Sequence, residues 1–419
     1  MKIKSKFKVC ILGSGFGGVT FLTNLKNSLG ENKDIEIVLI SDIKDFVFMP
    51  LLHEVATGEV KGENIVYPMI KLRNDLGEFK FINESIDNIN FKQKIVKTET
   101  QNVNYDYLVI SLGSVNNYYG NKSIEEKSLS LKGVGDSIKI RNHIIKTLEK
   151  ADITVDIQER KKLTNFVVVG GGATGVELAG GMVNLIKEKV AELKNISMEQ
   201  INIFLIESSS KLLQEMGSDK CSNVALKRFK DLGVKVFLDC EVKNFDGESV
   251  EINTTNTAIE KDIKTATFIW VAGVKPNTIV EKFDLKKDKK GRIIVDDYLS
   301  VPDYPEVYAI GDNATIEGQK LFTTAQNALQ QAEVAAHNIY SKTQLFKFSK
   351  KYKYFHQGSM VTIGKNFGVT DLFGVKVTGF KGWFIWKLIH LVKLTGNDNR
   401  INVFFDWLRT LYFHRYEQS

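Results

Sequence analysis

The amino-acid sequence predicts an α/β protein built around two parallel β-sheets. The prediction rests on two glycine-rich segments, VCILGSGFGGVT at residues 9–20 and VVVGGGATGVELAG at residues 167–180. In each segment a short apolar strand leads into three glycines spaced G-x-G-x-x-G, and a helix follows. This arrangement is typical of a Rossmann-like dinucleotide-binding turn. The chain is therefore predicted to hold two dinucleotides.

Length and composition indicate a large globular protein and exclude several other classes. A chain of 419 residues is long enough for two or three domains. Its net charge of +7 is a mild basic excess, and because no base-reading motif accompanies it, we expect no nucleic-acid partner. The three scattered cysteines, Cys10, Cys221 and Cys240, predict neither a disulfide framework nor a metal site. The apolar runs are too short for a signal peptide or a membrane span.

The first glycine segment predicts the phosphate-binding turn of one nucleotide domain. Residues 8–12 form the strand, and Gly13 permits the tight turn that follows. Gly15 lets the backbone approach a pyrophosphate, and Gly18 lets the helix pack on the strand. The start of that helix offers N–H groups to the phosphates. An isolated glycine fingerprint can also be a tight turn without a ligand, but strand, spacing and helix all agree here.

The second strand of this domain ends in an unusual way. Residues 35–40 should lead into an acid that binds a ribose hydroxyl. Ser41 occupies that position and Asp42 follows it. Either Asp42 takes over the ribose contact, or Ser41 makes a weaker one.

The second glycine segment repeats the pattern at Gly170, Gly172 and Gly175. One face of the following helix is apolar, as packing on a sheet requires. The next strand, residues 201–207, ends in Glu207. A carboxylate at this position can accept hydrogen bonds from both ribose hydroxyls and would repel a 2′-phosphate, so we expect a preference for NADH over NADPH.

Glu177 lies near the start of the second helix and leaves two interpretations open. Its carboxylate could complement the positive end of the helix dipole. It could instead face the reacting rings of the bound cofactors. The residues alone do not decide between these two interpretations.

Two dinucleotide sites in one chain predict a redox relay. Two nicotinamide cofactors would make no relay, because each of them only passes hydride. A flavin in one site and a nicotinamide in the other do make a relay, because hydride can pass between them. Three later segments support a bound flavin, because in each of them an apolar strand leads to a glycine. These segments are residues 105–113, 269–277 and 305–314, and the strand in the last one ends in Gly311 and Asp312.

These segments resemble those of the two-dinucleotide-domain flavoproteins. Four further segments resemble the type II NADH:quinone oxidoreductases: FVFMPLLHEVATGEV at 46–60, TAQNALQQAEVAAHNI at 324–339, GSMVTIGKN at 358–366 and GWFIWKLIHLVKLTGNDNRINVFFDW at 382–407. The whole resemblance runs from about residue 8 to about residue 413. The resemblance implies FAD in the first site, NADH in the second and no metal. It also implies that a membrane quinone accepts the electrons, without proton pumping.

The resemblance assigns roles to individual residues. Gln326 and Gln330 match the quinone-site motif and, being four residues apart, should face the same way from one helix. The alternative is an ordinary pair of exposed helical glutamines. Glu177 matches the acid implicated near the nicotinamide and the quinone. The further cofactor-binding positions that the resemblance implies are Phe16, Gly17, Gly113, Gly311, Asp312, Ala325, Thr174, Ala272 and Gly273.

The sequence departs from the family pattern in three places. Ser41 and Asp42 stand at the expected ribose acid, SLG at 111–113 stands where ATG is usual, and residues 321–323 replace a segment that usually contains proline. These departures concern local contacts, above all at the adenosine end of FAD.

Two alternatives remain at the sequence level. A sulfide:quinone oxidoreductase shares this fold, but it needs cysteines to carry sulfur and has no use for a second fingerprint that ends in Glu207. A flavoprotein that signals or binds a partner, with slow NADH oxidation, is the other. Turnover with a quinone would separate that second alternative from the oxidoreductase.

Residues 382–416 predict two amphipathic helices that lie on a membrane surface. Three of the chain's four tryptophans are here: Trp383, Trp386 and Trp407. A polar stripe is expected from residues at three-residue steps: Lys387, His390 and Lys393. Residues 376–415 carry seven Lys or Arg and two Asp, a net charge of +5 that favours anionic lipid. The alternative is a helical pair that packs on the core or on a second subunit.

We therefore predict four segments. An FAD-binding domain consists of residues 1–117 and 286–345, an NADH-binding domain at residues 118–285 is inserted between them, and residues 346–419 form the membrane-association region. We expect a homodimer, peripheral on the cytoplasmic face of a membrane.

Overall fold

The computed structural model describes residues 7–30, 35–256, 261–319, 321–344 and 348–412. The α-helices are α1 (Phe16–Leu29), α2 (Leu52–Ala56), α3 (Met69–Leu76), α4 (Lys122–Lys127), α5 (Val134–Ile153), α6 (Ile157–Leu163), α7 (Ala173–Ala191), α8 (Asp219–Asp231), α9 (Ala325–Thr343), α10 (Phe380–Lys393) and α11 (Asn397–Tyr412).

The strands of the first half are β1 (Phe7–Leu12), β2 (Ile35–Ile40), β3 (Asp45–Val47), β4 (Val66–Pro68), β5 (Lys80–Ile82), β6 (Ile86–Asn90), β7 (Ile95–Thr98), β8 (Asn102–Asn104), β9 (Tyr107–Ile110), β10 (Ser114–Asn116), β11 (Leu129–Ser130), β12 (Asn165–Val169) and β13 (Asn202–Ile206). Those of the second half are β14 (Lys235–Phe237), β15 (Glu241–Phe245), β16 (Ser249–Asn253), β17 (Asp262–Lys264), β18 (Thr267–Trp270), β19 (Val274–Pro276), β20 (Ile293–Val295), β21 (Ser300–Val301), β22 (Tyr304–Ala309), β23 (Ala314–Ile316), β24 (Gly358–Thr362), β25 (Gly368–Leu372) and β26 (Val375–Gly379).

The chain divides into two compact units. Unit 1 contains residues 1–47, 67–115 and 274–356, and unit 2 contains residues 48–66, 116–273 and 357–419. These are units of packing, and the boundaries of the cofactor-binding domains remain a prediction.

Unit 1 is built on a six-stranded sheet in the order β21-β22-β9-β1-β2-β5. All neighbours pair in parallel except β21 and β22, which are antiparallel. The central strand β1 is buried from Val9 to Leu12, because helices cover both faces of such a sheet. Helix α1 packs against α9. The first predicted strand and helix are confirmed, and Cys10 is buried within β1.

Unit 2 contains an all-parallel sheet in the order β11-β18-β12-β13-β14. Helix α7 follows β12 and buries the apolar face that its sequence predicts: Ala179, Met182, Val183, Ile186 and Val190. The α/β class is therefore confirmed, with one all-parallel sheet in unit 2 and one sheet in unit 1 that is parallel except at its edge strand β21. A separate antiparallel sheet, β24-β25-β26, also belongs to unit 2.

Helices α10 and α11 follow this antiparallel sheet in unit 2. Helix α10 packs against β25 and β26. The two predicted C-terminal helices are confirmed. The residues TGNDN at 395–399 suggest a break between them, and α11 begins within that segment, at Asn397. Among the residues that the structure describes, no helix is both long and apolar enough to cross a membrane.

Candidate functional site

The first glycine turn leaves open space at one position only. Gly13 has φ of +97°, and a Cβ there would lie 2.3 Å from the carbonyl oxygen of Ser111. A Cβ on Gly18 would lie 1.9 Å from the carbonyl oxygen of Gly13. A Cβ on Gly15 would meet no atom within 4 Å. Because Gly15 is the N-cap of α1 and has no side chain, the first N–H groups of the helix face this opening, which fits a pyrophosphate.

Ser41 is bonded to the glycine turn itself. Its hydroxyl lies 2.9 Å from the hydroxyl of Ser14 and accepts a hydrogen bond of 3.2 Å from the backbone N–H of Ile43. Ser14 and Ser41 are both buried, whereas Asp42 is exposed. Of the two residues predicted for the ribose contact, Ser41 is thus already part of the turn, and the Asp42 carboxylate stands in solvent.

The Gly311–Asp312 turn is held by two residues that the sequence did not indicate. The backbone N–H of Gly311, which has φ of +72°, donates to Oε1 of Gln331 at 2.6 Å. The carboxylate of Asp312 accepts a hydrogen bond of 2.6 Å from the hydroxyl of Ser114. Ser114 directly follows Gly113, so the turn at Gly113 and the Gly311–Asp312 turn lie side by side.

The other predicted positions of unit 1 lie close to these turns. The Phe16 ring packs edge to face on Phe46 with centroids 5.2 Å apart. A Cβ on Gly17 would lie 2.5 Å from Oγ of Ser111, and Ala325 is the first residue of α9. Unit 1 therefore gathers its predicted flavin-binding residues around the carboxyl ends of β1 and β9 and the start of α9.

The second glycine turn reproduces the geometry of the first. Gly170 has φ of +117°, and a Cβ there would lie 3.0 Å from Ala272. A Cβ on Gly175 would lie 1.8 Å from the carbonyl oxygen of Gly170, whereas a Cβ on Gly172 would meet no atom within 4 Å. Gly172 is the N-cap of α7 and Thr174 is exposed in its first turn. The open position again fits a pyrophosphate.

The carboxylate of Glu207 is fixed beside this turn. It lies one residue beyond β13, and its Oε2 accepts a hydrogen bond of 2.5 Å from the backbone N–H of Gly171. Its Oε1 accepts from the backbone N–H of Ser209 at 2.8 Å and from the Ser209 hydroxyl. Ala272 and Gly273 follow β18 nearby, with Gly273 at φ of +77°. Unit 2 thus collects its predicted NADH-binding residues at the carboxyl ends of β12, β13 and β18.

Glu177 does not complement the helix dipole. Helix α7 begins at Ala173, and its first turn contains no acid. The Glu177 side chain is buried, and its Oε1 accepts a hydrogen bond of 3.2 Å from the backbone N–H of Thr362 in β24. Burial raises the pKa of Glu177 well above its ordinary value, and the hydrogen bond from Thr362 opposes that rise.

His53 stands beside Glu177 and was not among the predicted residues. Its Nδ1 lies 3.5 Å from Oε2 of Glu177, and its Nε2 lies 3.4 Å from the hydroxyl of Thr362. Burial lowers the pKa of His53 to about 3, so the imidazole is neutral. Both His53 and Thr362 lie in segments quoted for the family resemblance, but no spacing within the sequence indicates that they meet.

Two adjacent glycines of α7 explain how this cluster is assembled. A Cβ on Gly180 would lie 2.5 Å from the backbone nitrogen of Gly364, and one on Gly181 would lie 2.9 Å from the Thr57 side chain. Only glycine therefore lets the β24–β25 connection and α2 approach this helix so closely. The close approach brings Thr362 and His53 against Glu177.

The predicted polar stripe on α10 is wrong at Lys387. This ammonium group is buried and forms an ion pair with the carboxylate of Glu54 in α2. The second oxygen of Glu54 accepts a hydrogen bond of 2.6 Å from Nε1 of Trp407. The Lys387 ammonium also lies 4.3 Å from the centre of the Trp407 ring. Lys387 therefore joins α10 to α2 and α11 within unit 2 and does not face solvent.

The three tryptophans of the predicted membrane-surface region also lie elsewhere than that prediction implies. Trp383, Trp386 and Trp407 are buried, and His390 stacks on Trp386 with ring centroids 3.9 Å apart. A different set of apolar side chains is exposed on the two helices: Phe380, Phe384, Leu388, Val392, Ile401, Phe404 and Phe405. We call this set the exposed stripe. The sides of α10 and α11 that carry the tryptophans therefore pack on the core, which is the alternative to membrane contact considered for these helices.

Gln326 and Gln330 face the same way, as their spacing predicts. Both contact the segment that follows α9 in unit 1. Oε1 of Gln326 accepts a hydrogen bond of 2.8 Å from the Tyr354 hydroxyl. Gln330 pairs with the backbone of Phe355 through two bonds, donating from Nε2 to the carbonyl oxygen at 2.8 Å and accepting from the N–H at 2.9 Å.

Comparison with known protein families agrees with this arrangement. The family model described as pyridine nucleotide-disulphide oxidoreductase matches residues 7–332. A second model, the NDH2 C-terminal domain, matches residues 356–416. Two dinucleotide turns on two parallel sheets, followed by that C-terminal domain, define an oxidoreductase of the pyridine nucleotide-disulphide class.

Individual relatives narrow the class. A probable NADH dehydrogenase of Dictyostelium discoideum is 33% identical over 99% of this chain and 91% of its own length. The type II NADH:quinone oxidoreductase NdhA of Mycobacterium tuberculosis is 31% identical over 97% of this chain and 87% of its own. The structure of NDH2 from Plasmodium falciparum in complex with NADH superimposes with a TM-score of 0.88 at 24% identity, over 98% of this chain and 99% of that one. The chain belongs to the type II NADH:quinone oxidoreductase family.

Proposed function

We propose that this protein oxidises NADH through a bound FAD and passes the electrons to a membrane quinone, without pumping protons. The observation that carries the proposal is the pair of glycine turns, one in each unit, each open at its middle glycine. Two such turns support two dinucleotides bound at once, which a relay of hydride requires. The relatives named above supply the identity of the donor and the acceptor.

FAD would occupy the turn of unit 1. Gly15 and the start of α1 would hold its pyrophosphate, and the turns at Gly113 and Gly311–Asp312 would hold the ribityl–phosphate region. The hydroxyl pair of Ser14 and Ser41 would replace the usual acid at the ribose. When bound, FAD supplies a two-electron carrier that accepts hydride and can be reoxidised by a quinone.

NADH would occupy the turn of unit 2. Gly172 and the start of α7 would hold its pyrophosphate, and Glu207 would bind the adenosine ribose. Because two backbone N–H groups already fix the Glu207 carboxylate, it needs no rearrangement before the nucleotide arrives. A 2′-phosphate would place a second negative group against this carboxylate, which supports the preference for NADH.

Gln326 and Gln330 would serve the quinone half of the reaction. An amide N–H suits a quinone carbonyl, and Gln326 has its oxygen turned towards Tyr354. Gln330 would act through the Phe355 backbone that it holds. Glu177 would hold a proton on its buried carboxyl group, since reduction of a quinone to a quinol consumes two protons.

The exposed stripe would contact lipid. Phe380, Phe384, Leu388 and Val392 recur every four residues and are each at least half exposed. Such a row lies on one face of α10, opposite the face that buries Trp383 and Trp386. Exposed lysines flank it at Lys381 and Lys393, a composition that suits an anionic membrane surface. We keep the cytoplasmic face and a homodimer as further parts of this proposal.

The rival sulfide chemistry lacks support in this chain. Cys10, Cys221 and Cys240 are all buried and carry free thiols, and burial raises the pKa of the Cys10 thiol. The sulfide:quinone oxidoreductase of Aquifex aeolicus has a similar structure, with a TM-score of 0.76 at 19% identity, which is a likeness of fold. Because all three cysteine side chains are buried, none of them is exposed to take up sulfide.

A steady-state assay tests the proposed function. The purified FAD-loaded protein should oxidise NADH faster than NADPH when a short-chain quinone is present, and it should not oxidise sulfide. Slow NADH oxidation that added quinone does not accelerate would favour the signalling or partner-binding flavoprotein instead.

A further inference from the structure

Three amide side chains of α9 bind the chain segment that follows it, residues 350–356, which we call the strap. Asn338 donates from Nδ2 to the carbonyl oxygen of Lys350 at 2.9 Å and accepts from its N–H at 2.6 Å. Gln330 pairs with Phe355 in the same two-bonded way. Asn327 accepts from the Tyr352 hydroxyl at 2.5 Å. The strap is therefore fixed along the helix at three separate points.

This fixation places the Tyr354 hydroxyl on the amide of Gln326. The Tyr354 hydroxyl donates to Oε1 of Gln326 at 2.8 Å. The oxygen atom of the Tyr354 hydroxyl also lies 3.2 Å from Nδ1 of His356. A tyrosine hydroxyl has one hydrogen. Since that hydrogen is given to Gln326, the tyrosine oxygen can only accept from the imidazole, so His356 donates from Nδ1. The three side chains form a directed sequence from His356 through Tyr354 to Gln326.

The direction of these bonds decides how the Gln326 amide is oriented. An amide can rotate by half a turn about its last bond and exchange its oxygen and nitrogen. A donor at 2.8 Å holds the oxygen on the side of Tyr354, so the NH₂ group is held on the opposite side. The Tyr354 hydroxyl is protonated at neutral pH, because a tyrosine has an ordinary pKa of about 10. Partial burial raises the pKa of Tyr354 further, against a hydrogen bond with Thr324 that lowers it.

We propose that Tyr354 is a positioning residue for quinone reduction, which orients the amide of Gln326 so that its N–H donates to a quinone carbonyl. This inference rests on the proposed function. His356, which is exposed, keeps the Tyr354 hydrogen directed at Gln326. Tyr354 is expected to act on the acceptor half of the reaction, because Gln326, the residue whose amide it orients, is assigned to that half.

The test separates flavin reduction from flavin reoxidation in the holoenzyme. Tyr354→Phe removes the hydroxyl and keeps the ring. We expect reoxidation by a short-chain quinone to slow about three- to tenfold, which corresponds to one neutral hydrogen bond. Reduction by NADH should stay unchanged. Tyr67→Phe is the matched control, since it removes a tyrosine hydroxyl bond, to Asp75, in the same unit without touching the strap or Gln326, and its reoxidation should equal that of the wild type.

A double variant shows whether Tyr354 acts through Gln326. If it does, Tyr354→Phe should add nothing to the slowing caused by Gln326→Ala, because the amide to be oriented is gone. Additive effects, or equal slowing in Tyr67→Phe, would overturn the inference. If Gln326→Ala slows reoxidation and Tyr354→Phe does not, the inference fails while the proposed function stands. If the wild-type flavin is not reoxidised by quinone at all, the proposed function itself fails.

Discussion

Nδ1 of His53 lies 3.5 Å from Oε2 of Glu177, and both side chains are buried. Burial lowers the pKa of the imidazole and raises that of the carboxyl group, so it favours the neutral form of each. Burial therefore acts against charge on both groups at the place where they meet between α2 and α7, in the interior of unit 2.

This burial makes a prediction about acid stability. His53 has an ordinary pKa of 6.5 and a folded-state pKa of about 3, so the unfolded chain binds its proton first. The contribution of the neutral, buried His53 to the free energy of unfolding is therefore complete above pH 6.5. This contribution is lost as the pH falls towards 3, at up to about 1.4 kcal/mol per pH unit. Urea unfolding at a series of pH values should show a shallower acid loss for His53→Gln than for the wild type. His337→Gln, at an exposed position, should keep the wild-type slope, and equal slopes for all three proteins would contradict the prediction.

The geometry of the second glycine turn predicts that Gly172→Ala affects NADH binding, whereas Gly175→Ala affects folding. Gly172→Ala adds a methyl group where no atom lies within 4 Å, so the protein should fold and bind FAD. The methyl group would occupy the space of the NADH pyrophosphate, and the Michaelis constant for NADH should rise about tenfold through weakened charge-assisted hydrogen bonds. Gly175→Ala should instead reduce folded yield, because its methyl group would lie 1.8 Å from a carbonyl oxygen. Kinetics and thermal melting of both variants check this, and normal NADH kinetics in Gly172→Ala would refute the assigned turn.

Glu207 is predicted to read the ribose of NADH. Glu207→Ala should raise the Michaelis constant for NADH at least tenfold, since a charge-assisted hydrogen bond contributes about 1.5–3 kcal/mol. The preference over NADPH should shrink, because the negative charge that opposes a 2′-phosphate is gone. Steady-state constants for both nucleotides measure this. A variant at the exposed Glu192 should behave as the wild type, and an unchanged preference in Glu207→Ala would remove the assignment.

The exposed stripe gives a prediction about membrane binding that leaves the buried ion pair intact. Replacing Phe384, Leu388 and Phe405 by serine should weaken binding to vesicles that contain phosphatidylglycerol at least tenfold, since each side chain contributes about 1.5–3 kcal/mol on burial in an apolar phase. NADH reduction of the flavin should not change. The matched control replaces three exposed apolar residues elsewhere in unit 2 by serine: Ile153, Val155 and Ile157. Equal vesicle binding by the two triple variants would argue that the stripe serves another contact.

The sequence predicts the elements that follow local rules and misses those that depend on distant contacts. Strand β2 matches residues 35–40, because a short apolar run bounded by turn residues predicts a buried strand of that length. Glu207 lies one residue beyond its strand for the same reason. His53 and Thr362 are 309 residues apart along the chain, and only the folded structure brings them to Glu177.

The C-terminal helices show why a composition argument can choose the wrong face. Lysine and tryptophan suit a membrane interface, but Lys387 is paired with Glu54, which is 333 positions away along the chain. A buried ion pair of this kind is invisible to a helical wheel, because its partner lies on another element. The sequence predicts the two helices correctly, but only the folded structure shows which side of each helix is exposed.

The measurement that tests the account most directly is a double-mixing stopped-flow experiment on the FAD-loaded protein. NADH in the first mix should bleach the flavin absorbance, and a short-chain quinone in the second should restore it, with one quinol formed for each NADH consumed. Flavin that bleaches with NADH and is not restored by quinone, or that does not bleach at all, would contradict the proposed relay.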